Sequence, residues 1–271
     1  MGADPEFLGT TVPLPGVAAA VVELPATHHT VLLRPDRRLA AAAVVDIDGA
    51  TLVDVPREGA RWHLDPRVPA DQQTGAAVYV DNPLDRGHLV RRRDPCWGEP
   101  AVAALASRQT FSYANAAPQV AVFNQSKDLW LGLEDYVLGA ADAARARLTV
   151  LTGPVLADDD PEYRGCRLPR AFWKVAAWAG ADGSLAATGY LLDQSALLDA
   201  VLGSAASAVE PDLGAYRTYQ VPVGRLADLT GLDLGPLVAA DRLPAARAAA
   251  AVARTGYGVE LSGYADVVLG G

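Results

Sequence analysis

The chain has 271 residues, 51% hydrophobic and 20% charged, which is enough for one large domain or two small ones. No apolar run approaches the roughly 18 residues a membrane span needs, so no membrane partner is expected. The net charge of −9 argues against a surface that coats itself with nucleic acid, because phosphate binding is driven by clustered cations.

Those cations are nevertheless unevenly placed. Only Lys127 and Lys174 are lysines, and Arg86, Arg91, Arg92 and Arg93 crowd one segment. Arginine's planar fork suits phosphate better than a lysine point charge, so a local basic site on an acidic body is compatible with the composition. Cys96 and Cys166 are too few for a disulfide framework and lack Cys-x-x-Cys spacing. They are expected as unpaired buried thiols.

Met1 to Phe7 (MGADPEF) reads as a cloning remnant, so both a secreted and a cytoplasmic origin stay open. Residues 8–29 read as an N-terminal arm and 30–271 as one domain. Thr30 to Leu33 and Leu39 to Ile47 are β-branched and apolar, and Pro35-Asp36-Arg37-Arg38 between them predicts a hairpin. Asp48-Gly49 supplies a turn before a short strand at Thr51 to Val55. Gly59 to Gly75 predicts a loop anchored by Trp62. Ala76 to Val80 predicts a strand leading into a turn at Asp85-Arg86-Gly87-His88. A short helix is expected over Glu99 to Ser107, with Pro100 in its first turn, and a brief extended piece at Thr110 to Tyr113.

Leu129, Leu133, Val137, Ala140 and Ala144 recur at helical spacing, predicting one amphipathic helix from about Ser126 to Arg147, capped by Ser126 or Asp128. Strands are expected at Leu148 to Thr152, Phe172 to Trp178, Leu185 to Leu192 and Tyr219 to Val223. Val223 to Leu232 and Leu237 to Ala253 read as helices. The fold class is α/β (α+β): a single domain with a mixed or antiparallel sheet and flanking helices.

The densest chemistry lies between Tyr79 and Tyr136. His88 follows Asp85-Arg86-Gly87 and is the histidine with the richest polar company. It is a candidate general base with its pKa near working pH. His28, His29 and His63 lack such neighbours and read as structural or surface groups.

Asp85-Arg86-Gly87-His88 resembles the signature of the DNA/RNA non-specific endonucleases, the ββα-metal nucleases that include endonuclease G. An ordered sequel strengthens the resemblance. Asn115-x-x-Pro118-Gln119, Phe123-Asn124-Gln125 and Trp130-x-x-x-Glu134 resemble the family's next three motifs. Leu151-Thr152-Gly153-Pro154, Phe172-Trp173-Lys174-Val175, Val221-Pro222-Val223 and Leu229-Thr230-Gly231-Leu232 resemble its scaffold segments.

The resemblance implies a ββα-metal motif that hydrolyses phosphodiesters in DNA and RNA. It makes His88 the base, Asn124 the side-chain ligand of Mg²⁺ (with Mn²⁺ able to substitute), and Glu134 a carboxylate for that ion's waters. Arg86 would neutralise phosphate charge. Asp85 and Asn115 would position the histidine segment and the waters. Arg61 is expected as a further phosphate arginine from upstream, with Arg57 or Arg67 as alternatives, while Arg91 and Arg92 would line the substrate groove. Arg164, Arg167 and Arg170 would extend that groove or pair with Asp158 to Asp160. A homodimer and an inhibitor or immunity protein are partners the resemblance implies.

One spacing departs from the family. Asn124 and Glu134 stand ten positions apart rather than eight; on one helix eight positions place the pair about 80° to one side and ten about 80° to the other. Both can face one ion only if the helix bulges or begins after Ser126-Lys127-Asp128. With the acidic composition, this departure motivates an alternative reading: a catalytically inactive module that binds nucleic acid or protein on the same fold.

Overall fold

The computed structural model describes residues 2–57, 59–125, 130–203, 217–261 and 266–267. Ten strands and six helices carry the architecture. The first three strands are β1 (Val22–Ala26), β2 (His29–Arg34) and β3 (Leu39–Asp48). The site segment supplies β4 (Leu84–His88), α1 (Pro100–Gln109), β5 (Ala116–Val120), α2 (Ala121–Gln125) and α3 (Trp130–Ala144). Then come β6 (Arg147–Val155), β7 (Ala171–Ala179), β8 (Leu185–Asp193), α4 (Ser195–Gly203), β9 (Arg217–Val221), α5 (Val223–Thr230), α6 (Ala245–Thr255) and β10 (Val259–Leu261).

Eight of these strands form one antiparallel sheet in the order β10-β9-β8-β7-β6-β3-β2-β1. The fold is thus a mixed α+β domain on a large antiparallel sheet. Every residue of β3 is buried, as a central strand covered on both faces requires. Alternate residues feed two apolar layers. One takes Val45, Ile47, Val150, Phe172 and Leu192 together with Leu133 and Val137 of α3. The other takes Val44, Leu151, Trp173, Val175 and Leu191 together with Val223 and Leu226 of α5. The site segment sits on the first face and packs to the core through α3.

The expected hairpin, the four later strands and the Pro100 helix are present. Asp85 to His88 is a strand and not a turn: β4 pairs antiparallel with β5, which sequence patterning missed. Pro118 interrupts the apolar pattern of β5 but is tolerated because this is a two-stranded ribbon with open edges. Ala76 to Tyr79 forms a 3₁₀ turn where a strand was expected. Thr51 to Val55 is reduced to a single bridge between Leu52 and Trp97. The stretch from Leu237 to Ala253 breaks at Pro244, and α6 begins only after it.

The helix expected from Ser126 starts at Trp130, and Asn124 belongs to the separate α2. The caps expected at Ser126 or Asp128 lie outside the described residues. Residues 2–7, read as a cloning remnant, are folded onto the domain. Phe7 is buried against Trp97, and the Asp4 backbone N–H donates to Asp46 Oδ2 at 2.6 Å. Cys96 and Cys166 are buried free thiols. Among the described residues, no helix is long and apolar enough to cross a membrane.

Candidate active site

A cleft of about 570 Å³ opens beside β4, lined by Asp85, Arg86, His88, Asn124 and Glu134. Arg57, Trp62, Arg91, Arg92, Arg93, Phe111, Gln125 and Leu131 complete its wall. The ribbon of β4 and β5 followed by α2 and α3 brings these groups together, giving the ββα arrangement the motif implied. Because Asn124 and Glu134 occupy separate helices, the angular offset of a ten-residue spacing on one helix does not apply. Both line the cleft.

His88 ends β4. Its ring packs against Trp62 at 4.5 Å between centroids and edge-on against Phe111 at 5.0 Å. Its Nε2 is buried with no hydrogen-bond partner among the described residues. Desolvation, followed by the charges of Arg57, Arg92 and Arg91, pushes its pKa down to about 3. The ring is therefore neutral throughout the physiological range, well below the near-neutral value expected from sequence.

Gly87 leaves room for the buried Gln119 side chain: a Cβ there would lie 2.1 Å from Gln119 Oε1, so that side chain would have to shift. Asp85, two residues before, faces α2. Its Oδ2 accepts hydrogen bonds from Asn124 Nδ2 at 3.0 Å and Gln125 Nε2 at 2.8 Å. Asp85 thereby ties the strand to the helix and engages Asn124 through nitrogen, so that the amide oxygen is the ligand atom Asn124 can offer.

Asn115 is fully buried and does not line the cleft. Its Oδ1 accepts from the Val90 backbone N–H at 2.9 Å, while Nδ2 donates to the carbonyls of Val90 at 2.9 Å and Thr110 at 3.0 Å. It staples the backbone just beyond His88. A second staple is Gln194, whose Oε1 accepts from the Val120 N–H at 2.9 Å and whose Nε2 donates to the Pro169 carbonyl at 2.7 Å. No local sequence pattern marks Gln194, an amide whose partners lie far along the chain.

The arginines divide into distinct groups. Arg86 lies over the rings of Tyr79 and Tyr113, at 5.4 and 5.9 Å. Arg57, and not Arg61, reaches the cleft, 5.9 Å above the Phe111 ring. Arg61 is exposed because the chain at His63 bridges Ser112, which turns Trp62 inward and its neighbour Arg61 outward. Arg67 pairs with Asp65. Arg91 is held by Glu134 Oε2 at 3.6 Å and by Asp135. Arg92 donates to the Val55 carbonyl. Arg164 caps the carbonyls of Ala77 and Val80, Arg167 pairs with Glu162, and Arg170 with Asp199, so this series is occupied in local contacts.

Glu134 is buried on the cleft wall, and desolvation raises its pKa to about 7 against the opposing pull of Lys174 and Arg91. Among the described residues, no three His, Cys, Asp or Glu side chains converge as a metal site. A hard cation that keeps most of its water shell does not require such a cluster. One amide oxygen from Asn124, with the Asp85 and Glu134 carboxylates nearby for its waters, fits that chemistry.

A profile of the DNA/RNA non-specific endonucleases matches residues 11–241. The chain belongs to this family. It is 36% identical over 253 residues to the uncharacterised protein y4fB of Sinorhizobium fredii, covering 84% of this chain and 38% of that protein. The chain thus spans well under half the length of that relative. A crystal structure of an EndoG/EndoGI complex, concerned with EndoG inhibition, superposes with a TM-score of 0.59 at 20% identity, covering 81% of this chain and 86% of that one. At that identity the likeness shows a shared fold, and the family's large antiparallel sheet is common to both.

Proposed function

We propose that the chain is a metal-dependent endonuclease that hydrolyses phosphodiester bonds in DNA and RNA, with His88 as its general base. The observation that carries this reading is the joint placement of a neutral histidine, arginines, an amide and a buried carboxylate in one cleft. Mg²⁺, or Mn²⁺ in its place, would be held by the Asn124 side-chain oxygen and would supply Lewis-acid relief of charge on the phosphate.

The remaining steps belong to the chain. Arg57 and Arg86 draw a phosphate into the cleft and neutralise its developing charge. Burial is the main cause of the low His88 pKa, and a bound phosphate offsets the Arg57, Arg92 and Arg91 charges that add to it, which favours proton acceptance at the imidazole. His88 takes the proton from the attacking water as the new P–O bond forms and the bond to the 3′-oxygen breaks. Asp85 keeps the Asn124 amide aligned, and Glu134 accepts hydrogen bonds from water held in the cleft.

Because phosphates carry no sequence information, little sequence preference is expected. An inhibitor protein is the partner that the EndoG/EndoGI comparison suggests for this chain. Cleavage of supercoiled plasmid and structured RNA in Mg²⁺, Mn²⁺ and EDTA tests the proposal. Metal-dependent loss of both substrates supports it. DNA binding without cleavage in either metal would favour the inactive binding module.

A further inference from the structure

The proposed base is held by aromatic rings, because its buried nitrogen has nothing else to hold it. His88 Nε2 has no hydrogen-bond partner among the described residues. The imidazole instead meets Trp62 at 4.5 Å between centroids and 44° between planes, and the edge of Phe111 at 5.0 Å and 89°. Two rings set at different angles confine the side-chain torsions that one flat contact would leave free.

Trp62 is the centre of this packing. Its indole also meets Phe111 at 5.3 Å and Tyr113 at 5.7 Å. The same cluster lies beneath both cleft arginines, since Arg57 stands over Phe111 and Arg86 over Tyr113 and Tyr79. Phe111 and Tyr113 are buried, whereas Trp62 is only partly buried and comes from the loop of residues 59–75. Its place therefore depends on how that loop is fastened. The fastening lies at the next residue. The His63 N–H donates to the Phe111 carbonyl at 3.1 Å, and the Tyr113 N–H donates to the His63 carbonyl at 2.9 Å. The loop that carries one ring is thus pinned to the segment that carries the other two, which sets the indole against the imidazole.

We propose that Trp62 is a positioning residue of this site, whose indole, together with the edge of Phe111, fixes the orientation of the His88 imidazole and keeps water off one side of it. The inference rests on the nuclease reading. It gives Trp62 a task beyond anchoring its loop.

Trp62→Ala, Trp62→Leu and Trp62→Phe in the full chain test it. Trp62→Ala is expected to lower kcat on plasmid DNA about 10–100-fold with KM nearly unchanged, as misplacement of a reacting group does. Trp62→Phe restores a ring and is expected to recover most of the loss. Trp62→Leu fills the space without a ring, should resemble alanine, and serves if the alanine variant does not fold. A second readout follows His88 itself by NMR titration of the metal-free protein. Desolvation is the first cause of its low pKa, ahead of the Arg57, Arg92 and Arg91 charges that all three variants leave in place. In Trp62→Ala or Trp62→Leu its titration is expected to move up toward the ordinary 6.5, and in Trp62→Phe to stay near wild type. An unchanged kcat, a raised KM at unchanged kcat (an indole that binds nucleotide instead), or an unmoved His88 titration would overturn the proposal. A wild-type protein that cuts nothing would sink the nuclease reading instead, and the titration would still decide the Trp62–His88 relation.

Discussion

Asn115→Ala is the perturbation whose consequences the structure defines most fully. The side chain is fully buried and makes three hydrogen bonds, one accepted from the Val90 N–H and two donated to the Val90 and Thr110 carbonyls. Alanine leaves those backbone groups unpaired in a space with no new partner. Each unsatisfied buried group costs about 1–3 kcal/mol, and relaxation absorbs part of the sum, so a loss of roughly 3–5 kcal/mol is expected. For a chain of this size each kcal/mol moves Tm by about 2–4 °C, giving a fall on the order of 10 °C. Val90 is two residues past His88, so the loosened backbone also misplaces the base, and kcat should fall even well below the new Tm. Calorimetry with plasmid cleavage at 20 °C below each protein's Tm reads both effects. A Tm within about 2 °C of wild type with unchanged kcat would refute the assignment of Asn115 as the staple of the histidine segment.

Other expectations follow from single contacts. Gly87→Ala sets a Cβ against the Gln119 amide, which must repack in an enclosed space beside His88; nuclease activity should fall by about tenfold, which plasmid cleavage would reveal. Arg57→Ala should lower kcat/KM markedly, while Arg61→Ala, at an exposed residue outside the cleft, should change it little; the reverse ranking would overturn the placement of the upstream arginine. Burial raises the Asp46 pKa from its ordinary 3.8 to about 7, so the folded state holds a proton that the unfolded chain releases. This contribution to stability is fully present below about pH 4 and is lost as pH rises through about 7. Tm measured across that window should fall with rising pH less steeply in Asp46→Asn than in wild type.

The parts of the fold legible in sequence were those with a single dominant period. β3, β6, β7 and β8 are continuous apolar runs because the sheet is covered on both faces. His88, Asn124 and Glu134 were legible through ordered motifs, and they share the cleft. What was hidden depends on contacts far apart in the chain. The β4–β5 ribbon has Gly87 and Pro118 where propensity expects turns, and only their cross-strand partners make them a ladder. Arg57 could not be told from Arg61 because the bridge from His63 to Ser112 decides which way Trp62 points. The His88 pKa depends on arginines and aromatic rings gathered by folding, so its neutrality was not readable from its own neighbours.

The central claim is that His88 is the proton acceptor of a metal-dependent nuclease cleft, and the most direct measurement compares wild type with His88→Ala on supercoiled plasmid and structured RNA in Mg²⁺ and in EDTA. The account predicts that wild type degrades both in Mg²⁺ and neither in EDTA, and that His88→Ala, with an unchanged fold by circular dichroism, loses at least about 100-fold in rate, as removal of a general base does. Wild-type rates in the purified His88→Ala protein would contradict it.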